Sequence, residues 1–197
     1  MVVAGDVTPI CTLMGRGMEV TLFLLNARAN FTKRLPPLSR LLRRNFSATL
    51  PLVMTVLFSP LGLAYGTLYS AILLVRPRRV VVVTSPQAVG NLFSAVDAAR
   101  FYHAPFEVQT HLLDDPLAGF AEGRKLARHL VTAAGGDNII NLTGGTTALQ
   151  DCVRSVAILL RAENKAVREV AVIDRRDADD QRRTPLVVGE LVEVAPP

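Results

Sequence analysis

The sequence predicts an α/β protein with a doubly wound, mostly parallel sheet. Short apolar runs alternate with segments of helical periodicity through most of residues 52–194. Half of the 197 residues are hydrophobic, which is enough for a buried core. Polar or glycine-rich turns follow three of the apolar runs. Continuous apolar strands are expected where helices cover both faces of a parallel sheet, and right-handed crossovers then bring the carboxyl ends of the strands to one edge.

The first predicted unit is a strand at 52–58, a turn at 59–62 and a helix at 64–74. Residues 45–75 carry no charged side chain, so a membrane-spanning segment has to be weighed as an alternative. The Ser-Pro-Leu-Gly turn in the middle of this stretch favours the strand, turn and helix. We therefore do not expect a membrane partner.

Two further units follow, each a strand and then a helix. The run Arg-Val-Val-Val-Val-Thr at 79–84 predicts a second buried strand, and helical spacing follows at 89–100. Partial alternation predicts a third strand at 106–113. Asp115 and Pro116 predict the start of a helix that continues to about 131, because aspartate caps helices and proline suits the first helical position.

The stretch that carries the chemistry is the fourth strand, at 138–142, with the turn that follows it. Thr-Gly-Gly-Thr ends the strand, and a helix with an apolar face begins at once. Backbone amides at such a helix start suit an anion, two glycines let phosphates approach closely, and threonine hydroxyls cap the helix or bind phosphate. The alternative is that the glycines only turn the chain. Convergence with the turns after the first two strands favours a nucleotide-type site.

The remainder of the chain predicts a short strand at 169–173, a charged loop at 174–183 and a last strand at 186–194. The arginines of that loop make closure over a ligand worth testing, although a solvated loop is the simpler interpretation. Cys152 falls on the apolar face of the helix after the glycine turn, so we expect it in the core. The other cysteine, Cys11, is distant, which excludes a disulfide framework and fits a cytoplasmic protein.

Charge is distributed unevenly along the chain. Residues 1–53 hold seven basic and two acidic side chains, whereas residues 54–197 hold fifteen of each. The net charge of +5 therefore belongs to the N-terminal segment, and no long nucleic acid is expected as a partner. The histidines and cysteines lack metal-ligand spacing, so no metal and no cofactor is predicted. Neither a Walker lysine motif nor a G-x-G-x-x-G fingerprint occurs.

Residues 1–51 do not resemble a complete domain, and they predict a basic N-terminal extension of uncertain structure. One hypothesis is that the natural protein starts at Met54, immediately before the first strand. The alternative is a genuine, loosely packed basic extension.

Three stretches together resemble the CARF domain, the CRISPR-associated Rossmann fold. They are Thr-Val-Leu-Phe-Ser-Pro-Leu-Gly at 55–62, Arg-Val-Val-Val-Val-Thr-Ser at 79–85 and Asn-Ile-Ile-Asn-Leu-Thr-Gly-Gly-Thr-Thr at 138–147. The resemblance covers about residues 52–175 and implies a CARF-like domain at 52–197. It also implies a homodimer that binds cyclic tetra- or hexa-adenylate in type III CRISPR antiviral defence. Matched motif by motif, the implied ligand-binding residues are Ser59, Pro60, Gly62, Thr84, Ser85, Thr143, Gly144, Gly145, Thr146 and Thr147.

The resemblance leaves two activities open. Some CARF proteins are ring nucleases that cleave their own ligand, and others are sensors or regulators without an activity of their own. The family often has a lysine after Thr-Gly-Gly-Thr, where this chain has Thr147. The hydroxyls of Ser59 and Thr147 are the candidate catalytic groups, and Tyr65 is either a base-stacking or a packing residue. A membrane-anchored CARF sensor and a general nucleotide-binding protein are the further alternatives.

Overall fold

Residues 54–194, the part of the chain that the computed structural model describes, alternate strands and helices. The strands are β1 (Thr55–Leu61), β2 (Arg79–Thr84), β3 (Glu107–Leu112), β4 (Asp137–Asn141), β5 (Val167–Ile173) and β6 (Glu190–Glu193). The helices are α1 (Gly66–Val75), α2 (Val89–Tyr102), α3 (Phe120–Leu130), α4 (Thr147–Ala162) and α5 (Ala178–Arg183), with a 3₁₀ turn at Val131–Ala133.

The strands form one sheet in the order β3-β2-β1-β4-β5-β6. The first five are parallel to their neighbours, and β6 is antiparallel to β5. The chain proceeds from β1 in one direction to β3 and then returns to the other side of β1 as β4. The switch point of the sheet therefore lies between β1 and β4, where folds of this kind bind ligands. The predicted doubly wound, mostly parallel fold is confirmed.

Helices cover both faces of the sheet. In β2, Val80 and Val82 pack on the side of α1 and α2, whereas Val81 and Val83 pack on the side of α3 and α4. All four are fully buried, which explains why the strand is apolar without alternation. Cys152 lies in the core as predicted, and burial raises the pKa of its thiol to about 12. The thiol therefore stays protonated and unreactive at neutral pH. Cys11 lies outside the described residues.

The predicted boundary of the first strand is wrong at its carboxyl end. Residues 59–61, expected in a turn, continue β1 and pair with β2 as far as Leu61 opposite Thr84. Pairing of β1 with β4 ends earlier, at Phe58 opposite Ile140. Beyond Phe58, β1 is an edge toward β4, and an edge tolerates Pro60, which has no amide proton to donate. Residues 52 and 53 lie outside the described range.

The predicted start of the third helix is also wrong. The Asp115 carboxylate accepts hydrogen bonds from the amides of Leu117 (3.0 Å) and Ala118 (2.9 Å), which closes a separate turn. Gly119 then donates to the Asp115 carbonyl at 2.8 Å, and α3 begins one residue later. The aspartate caps a turn, and the helix starts only after that turn is complete.

The C-terminal region differs most from the prediction. The charged stretch at 174–183 contains α5, whose cap is Asp177 accepting from the Asp180 amide at 2.8 Å. The last strand is only four residues long. The residues before it, 184–189, lack strand structure. We call residues 184–189 the strap.

Within residues 54–194, no helix combines the length and the apolar character needed to cross a bilayer. The described part of the charge-free stretch at 45–75 forms β1 and α1. The predicted basic extension at 1–51 lies outside the described residues.

Candidate functional site

Two turns meet at the switch point between β1 and β4. A Cβ atom added to Gly62, after β1, would lie 2.8 Å from the Cα of Gly145, after β4. A Cβ atom added to Gly145 would lie 3.3 Å from the Cβ of Pro60. Two of the three turns predicted from the sequence to converge are therefore in contact, and they approach closely because Gly62 and Gly145 lack side chains.

The turn after β4 also requires glycine for its backbone. Gly144 has φ +98° and Gly145 has φ +67°, a region that L-residues rarely adopt. A Cβ atom on Gly144 would in addition lie 2.8 Å from the Thr67 hydroxyl on α1. The pair of glycines folds the backbone back over the end of the sheet and leads it directly into α4.

The first turn of α4 has no side-chain cap. Thr146 is the N-cap residue, but its hydroxyl donates to the Pro116 carbonyl instead of accepting from the helix. The Gln150 amide donates to the Thr146 carbonyl at 3.0 Å, so the amides before Gln150 have no carbonyl partner inside the helix. Thr147, the first helical residue, is exposed. This end of α4 therefore leaves its first amides without a helical partner at the positive end of the helix dipole, with Thr147 exposed and Ala148 and Leu149 buried.

Asn141, at the end of β4, fixes the shape of this turn. Its amide nitrogen donates to the Ser59 hydroxyl (2.9 Å) and to the Thr143 carbonyl (3.1 Å). Its carbonyl oxygen accepts from the Thr143 amide at 3.0 Å, and the Thr143 hydroxyl accepts from the Val172 amide at 2.8 Å. Asn141 and Ser59 are fully buried. Sequence reasoning missed Asn141, although a polar residue directly after the two apolar isoleucines of β4 and before the glycine turn was a usable signal.

The predicted hydroxyl residues divide into buried and open ones. Ser59 lies inside the sheet, and the buried Thr84 hydroxyl donates to the Leu61 carbonyl at 2.8 Å. Ser85 is 6% exposed at the end of β2. Of the two candidate catalytic hydroxyls, Ser59 is therefore enclosed by the protein, and Thr147 lies at the surface.

A groove runs from the glycine turn along α4. Its lining residues come from α3, the end of β4 and one face of α4: Phe120, Leu142, Thr147, Gln150, Asp151 and Arg154. The Gln150 side chain donates to the Gly144 carbonyl at 3.1 Å and thereby braces the turn. The Asp151 carboxylate pairs with Arg124 at 3.4 Å. The sequence analysis did not single out these polar residues, although their spacing places them on one face of the helix.

The strap covers the start of α1. A Cβ atom on Gly66, the first residue of α1, would lie only 2.2 Å from the Pro185 carbonyl oxygen. The Ser70 hydroxyl donates to the Val187 carbonyl (3.3 Å) and accepts from the Gly189 amide (3.0 Å). Tyr65, the N-cap residue of α1, is half-buried and packs against the core. These contacts place the strap over the end of α1 that faces the carboxyl edge of the sheet.

The arginines between β5 and β6 are bound to acidic side chains. Arg176 forms a bidentate pair with Asp174 (2.9 and 2.6 Å) and also donates to the carbonyl and hydroxyl oxygens of Thr184. The hydrogen bond from Arg176 lowers the pKa of the Asp174 carboxyl below its usual value. Arg175 pairs with Glu190 at 2.9 Å, and Arg182 and Arg183 pair within α5. This network ties the two ends of the α5 segment together and anchors the strap.

No protein-family model matches the chain, and no curated protein matches it. Among solved structures, it is similar to Can2 from Sulfobacillus thermosulfidooxidans in complex with cyclic tetra-adenylate, at 16% identity and a TM-score of 0.48. It is also similar to a type III CRISPR defence DNA nuclease activated by cyclic oligoadenylate, at 22% identity and a TM-score of 0.48. The matches cover 64% and 62% of this chain but only 33% and 19% of those chains. The chain thus spans a third or less of the proteins that it matches, and at these TM-scores the likeness carries no functional argument.

Proposed function

We propose that this chain is a CARF-type domain that binds a cyclic oligoadenylate at the carboxyl edge of β1 and β4. One observation carries the proposal: the Gly144-Gly145 turn, in contact with Gly62 at the switch point, opens onto the uncapped start of α4. Two of the three stretches that resemble the CARF domain contribute to this contact, and the third ends at the neighbouring strand, β2. The geometry and the resemblance thus support the same edge of the sheet.

The chemistry of this edge suits phosphate. Glycine allows a phosphate group close to the backbone, and the first-turn amides of α4 supply donors in a favourable dipole field. Residues 54–197 hold equal numbers of basic and acidic side chains, so no strong overall field attracts a long polyanion. Recognition therefore rests on short-range contacts at one turn, which fits a small phosphorylated ligand better than a nucleic acid.

The proposed assembly is a homodimer. A cyclic oligoadenylate repeats the same phosphate and base around a ring, and two copies of one anion-binding turn related by a two-fold axis match that repetition. Cyclic tetra-adenylate and cyclic hexa-adenylate are both compatible with a two-fold. The biological role proposed with this ligand is response to the second messenger of type III CRISPR antiviral defence.

The residues of the site take different roles in the proposal. Thr147 and the backbone amides of residues 144–147 contact the ligand, because these residues are exposed or partly exposed at the start of α4. Ser59 acts as a positioning residue through its hydrogen bond to Asn141. Thr84 holds the end of β2 to the end of β1.

Ring cleavage is the enzymatic form of the proposal. A ribose 2′-oxygen attacks the adjacent phosphorus, the bond from phosphorus to the 5′-oxygen breaks, and that oxygen takes up a proton. The products are a 2′,3′-cyclic phosphate and a 5′-hydroxyl. Positioning and charge stabilisation dominate such a step, so it does not require a buried general base.

The test is incubation of the full chain with cyclic tetra-adenylate or cyclic hexa-adenylate, followed by calorimetry and mass spectrometry. We expect the parent chain to bind one of these ligands. Thr147→Ala should weaken this binding, and Thr110→Ala should leave it unchanged. Thr110 is the matched control, an exposed threonine on the edge strand β3. Linear products would establish a ring nuclease, and binding without products would establish a sensor or regulator. Absence of binding to both rings would contradict the proposed function.

A further inference from the structure

The groove beside the glycine turn contains a cation seven residues along α4 from Thr147. Thr147 and Arg154 both line this groove, with Phe120 and Leu142 as its apolar wall. A spacing of seven residues is close to two helical turns, so the two side chains lie on one face of α4. Among the residues that line the groove, Arg154 is the only basic one in the part of the chain that the structure describes.

The other polar side chains of the groove are engaged by the protein. The Asp151 carboxylate pairs with Arg124 of α3, and the Gln150 amide donates to the Gly144 carbonyl. Within residues 54–194, Arg154 forms no ion pair with a carboxylate, and its side chain is exposed. The groove therefore holds one guanidinium that is available to a bound group.

The direction of side chains on a helix brings this guanidinium toward the glycine turn. Thr147 and Arg154 are about 10 Å apart along the helix axis, from the rise per residue. The Cα–Cβ bonds of a helix tilt toward its N-terminus, and long side chains extend over the preceding turn. Arg154 thus reaches back along the groove toward the uncapped amides at the start of α4.

We propose that Arg154 binds a phosphate of the ligand held at the start of α4 and supplies the positive charge that Thr147 does not. This inference rests on the proposed function. A planar guanidinium binds two phosphate oxygens at once, and its hydrogen bonds are strengthened by charge. The apolar wall of Phe120 and Leu142 reduces the solvation of the pair and so strengthens the contact. Arg154 is in this way a ligand-binding residue outside the Thr-Gly-Gly-Thr turn.

The experiment compares the parent chain with Arg154→Gln, Arg154→Lys and Arg78→Gln in calorimetric titrations with cyclic tetra-adenylate at low and high salt. Arg78 is the matched control, because it is exposed and precedes β2 at the opposite edge of the sheet. Arg154→Gln should raise the Kd about tenfold or more and should flatten its dependence on salt. Arg154→Lys should keep the salt dependence and recover part of the affinity. Arg78→Gln should behave as the parent.

The outcomes separate this inference from the function on which it rests. If the parent binds and Arg154→Gln binds equally tightly with the same salt dependence, the inference is overturned and the proposed function stands. If Arg154→Lys binds no better than Arg154→Gln, a role of the charge is likewise overturned. If the parent binds neither cyclic tetra-adenylate nor cyclic hexa-adenylate, the proposed function fails and the inference fails with it. Thermal melting of each variant, expected to match the parent at this exposed position, verifies that the comparison is made between folded proteins.

Discussion

The two helices at the switch point both begin without a side-chain cap and differ in what covers them. α1 follows β1 and α4 follows β4, and neither N-cap residue, Tyr65 or Thr146, caps its helix with a side chain. The start of α1 lies beneath the strap, with the Pro185 carbonyl against Gly66. The start of α4 carries the exposed Thr147 and the groove. Of these two strand, turn and helix units, only the second leaves its first helical residue exposed within residues 54–194.

The glycines of the two turns show the same difference. Gly66 has an ordinary φ and is required because another part of the chain occupies the space of a side chain. Gly144 and Gly145 are required by their positive φ values. Gly66 is therefore required by packing alone, whereas Gly144 and Gly145 are required by backbone shape as well as by packing. Substitutions at the two turns should therefore separate stability from binding.

The largest expected effect is a loss of stability on substitution of Asn141, which supports the turn after β4 from within the sheet. Asn141→Ala removes partners from the buried Ser59 hydroxyl and from the Thr143 backbone, and it should lower the free energy of unfolding by about 2–4 kcal/mol. Ser59→Ala removes the hydrogen bond accepted from Asn141 (2.9 Å) and the longer one donated to the Pro60 carbonyl (3.2 Å). It should cost about 1 kcal/mol, because Asn141 keeps its hydrogen bonds with Thr143. Chemical denaturation measures both. Equal losses of stability for the two variants would contradict the conclusion that Asn141 holds the turn after β4 more strongly than Ser59 does.

The next effect contrasts two glycines between β1 and α1, of which Gly66 faces the strap and Gly62 faces the turn after β4. Gly66→Ala places a Cβ atom 2.2 Å from the Pro185 carbonyl and should cost about 1–3 kcal/mol of stability. Ligand affinity of the folded protein should stay within about twofold, since the strap lies over α1 and not over α4.

Gly62→Ala is the counterpart that faces the open turn: Gly62 follows β1, but its Cβ atom would lie 2.8 Å from the Cα of Gly145 in the turn after β4. It should separate the two turns and raise the Kd for cyclic oligoadenylate at least about tenfold. Gly90→Ala is the control, since a Cβ atom there meets nothing within 4 Å. If Gly66→Ala reduced affinity as strongly as Gly62→Ala, the distinction between a covered and an open turn would be lost.

A smaller effect, a gain in ligand affinity, is expected on substitution of Thr147. Thr147→Lys introduces a cation at the exposed start of α4. It should tighten ligand binding several-fold at low salt, with little change in thermal stability, because surface charges contribute modestly and are screened by salt. Calorimetry at two salt concentrations measures the gain. Weaker binding by this variant would indicate that Thr147 does not face the ligand's phosphates.

The smallest effect is a change in the pH dependence of stability, and it concerns the Asp174–Arg176 ion pair that anchors the strap. Hydrogen bonding to Arg176 lowers the pKa of Asp174 in the folded protein, so the stabilisation is present above the ordinary carboxyl pKa and is lost as pH falls through the lowered value. Asp174→Asn should therefore reduce the loss of stability in acid while changing stability at pH 7 only slightly. Hydrogen exchange of the Gly189 amide, which is bonded to Ser70, should accelerate in this variant. Unchanged exchange would show that the ion pair does not hold the strap.

The sequence was sufficient for the fold and for the location of the glycine turn. Apolar runs predict buried parallel strands, and β2 begins and ends where its run of valines predicts. The turn after β4 follows from two adjacent glycines, which have few other uses between a strand and a helix.

The remaining features depend on contacts between distant segments. Asn141 acts through Ser59, which lies 82 residues away, and the strap is held by Ser70, which lies 117 residues from Val187. The sequence predicts Ser59 in a turn, but the early end of pairing with β4 lets β1 continue through Pro60. Local patterns do not reveal whether a helix start is covered, since that depends on where the strap packs.

Hydrogen exchange of the full chain with and without cyclic tetra-adenylate tests the central claim most directly. The ligand is expected to slow exchange at the amides of residues 144–147, at the start of α4, and to leave residues 66–70 of α1 unchanged. Protection confined to the start of α1, or equal at the two helices, would contradict the assignment of α4 as the ligand-binding end.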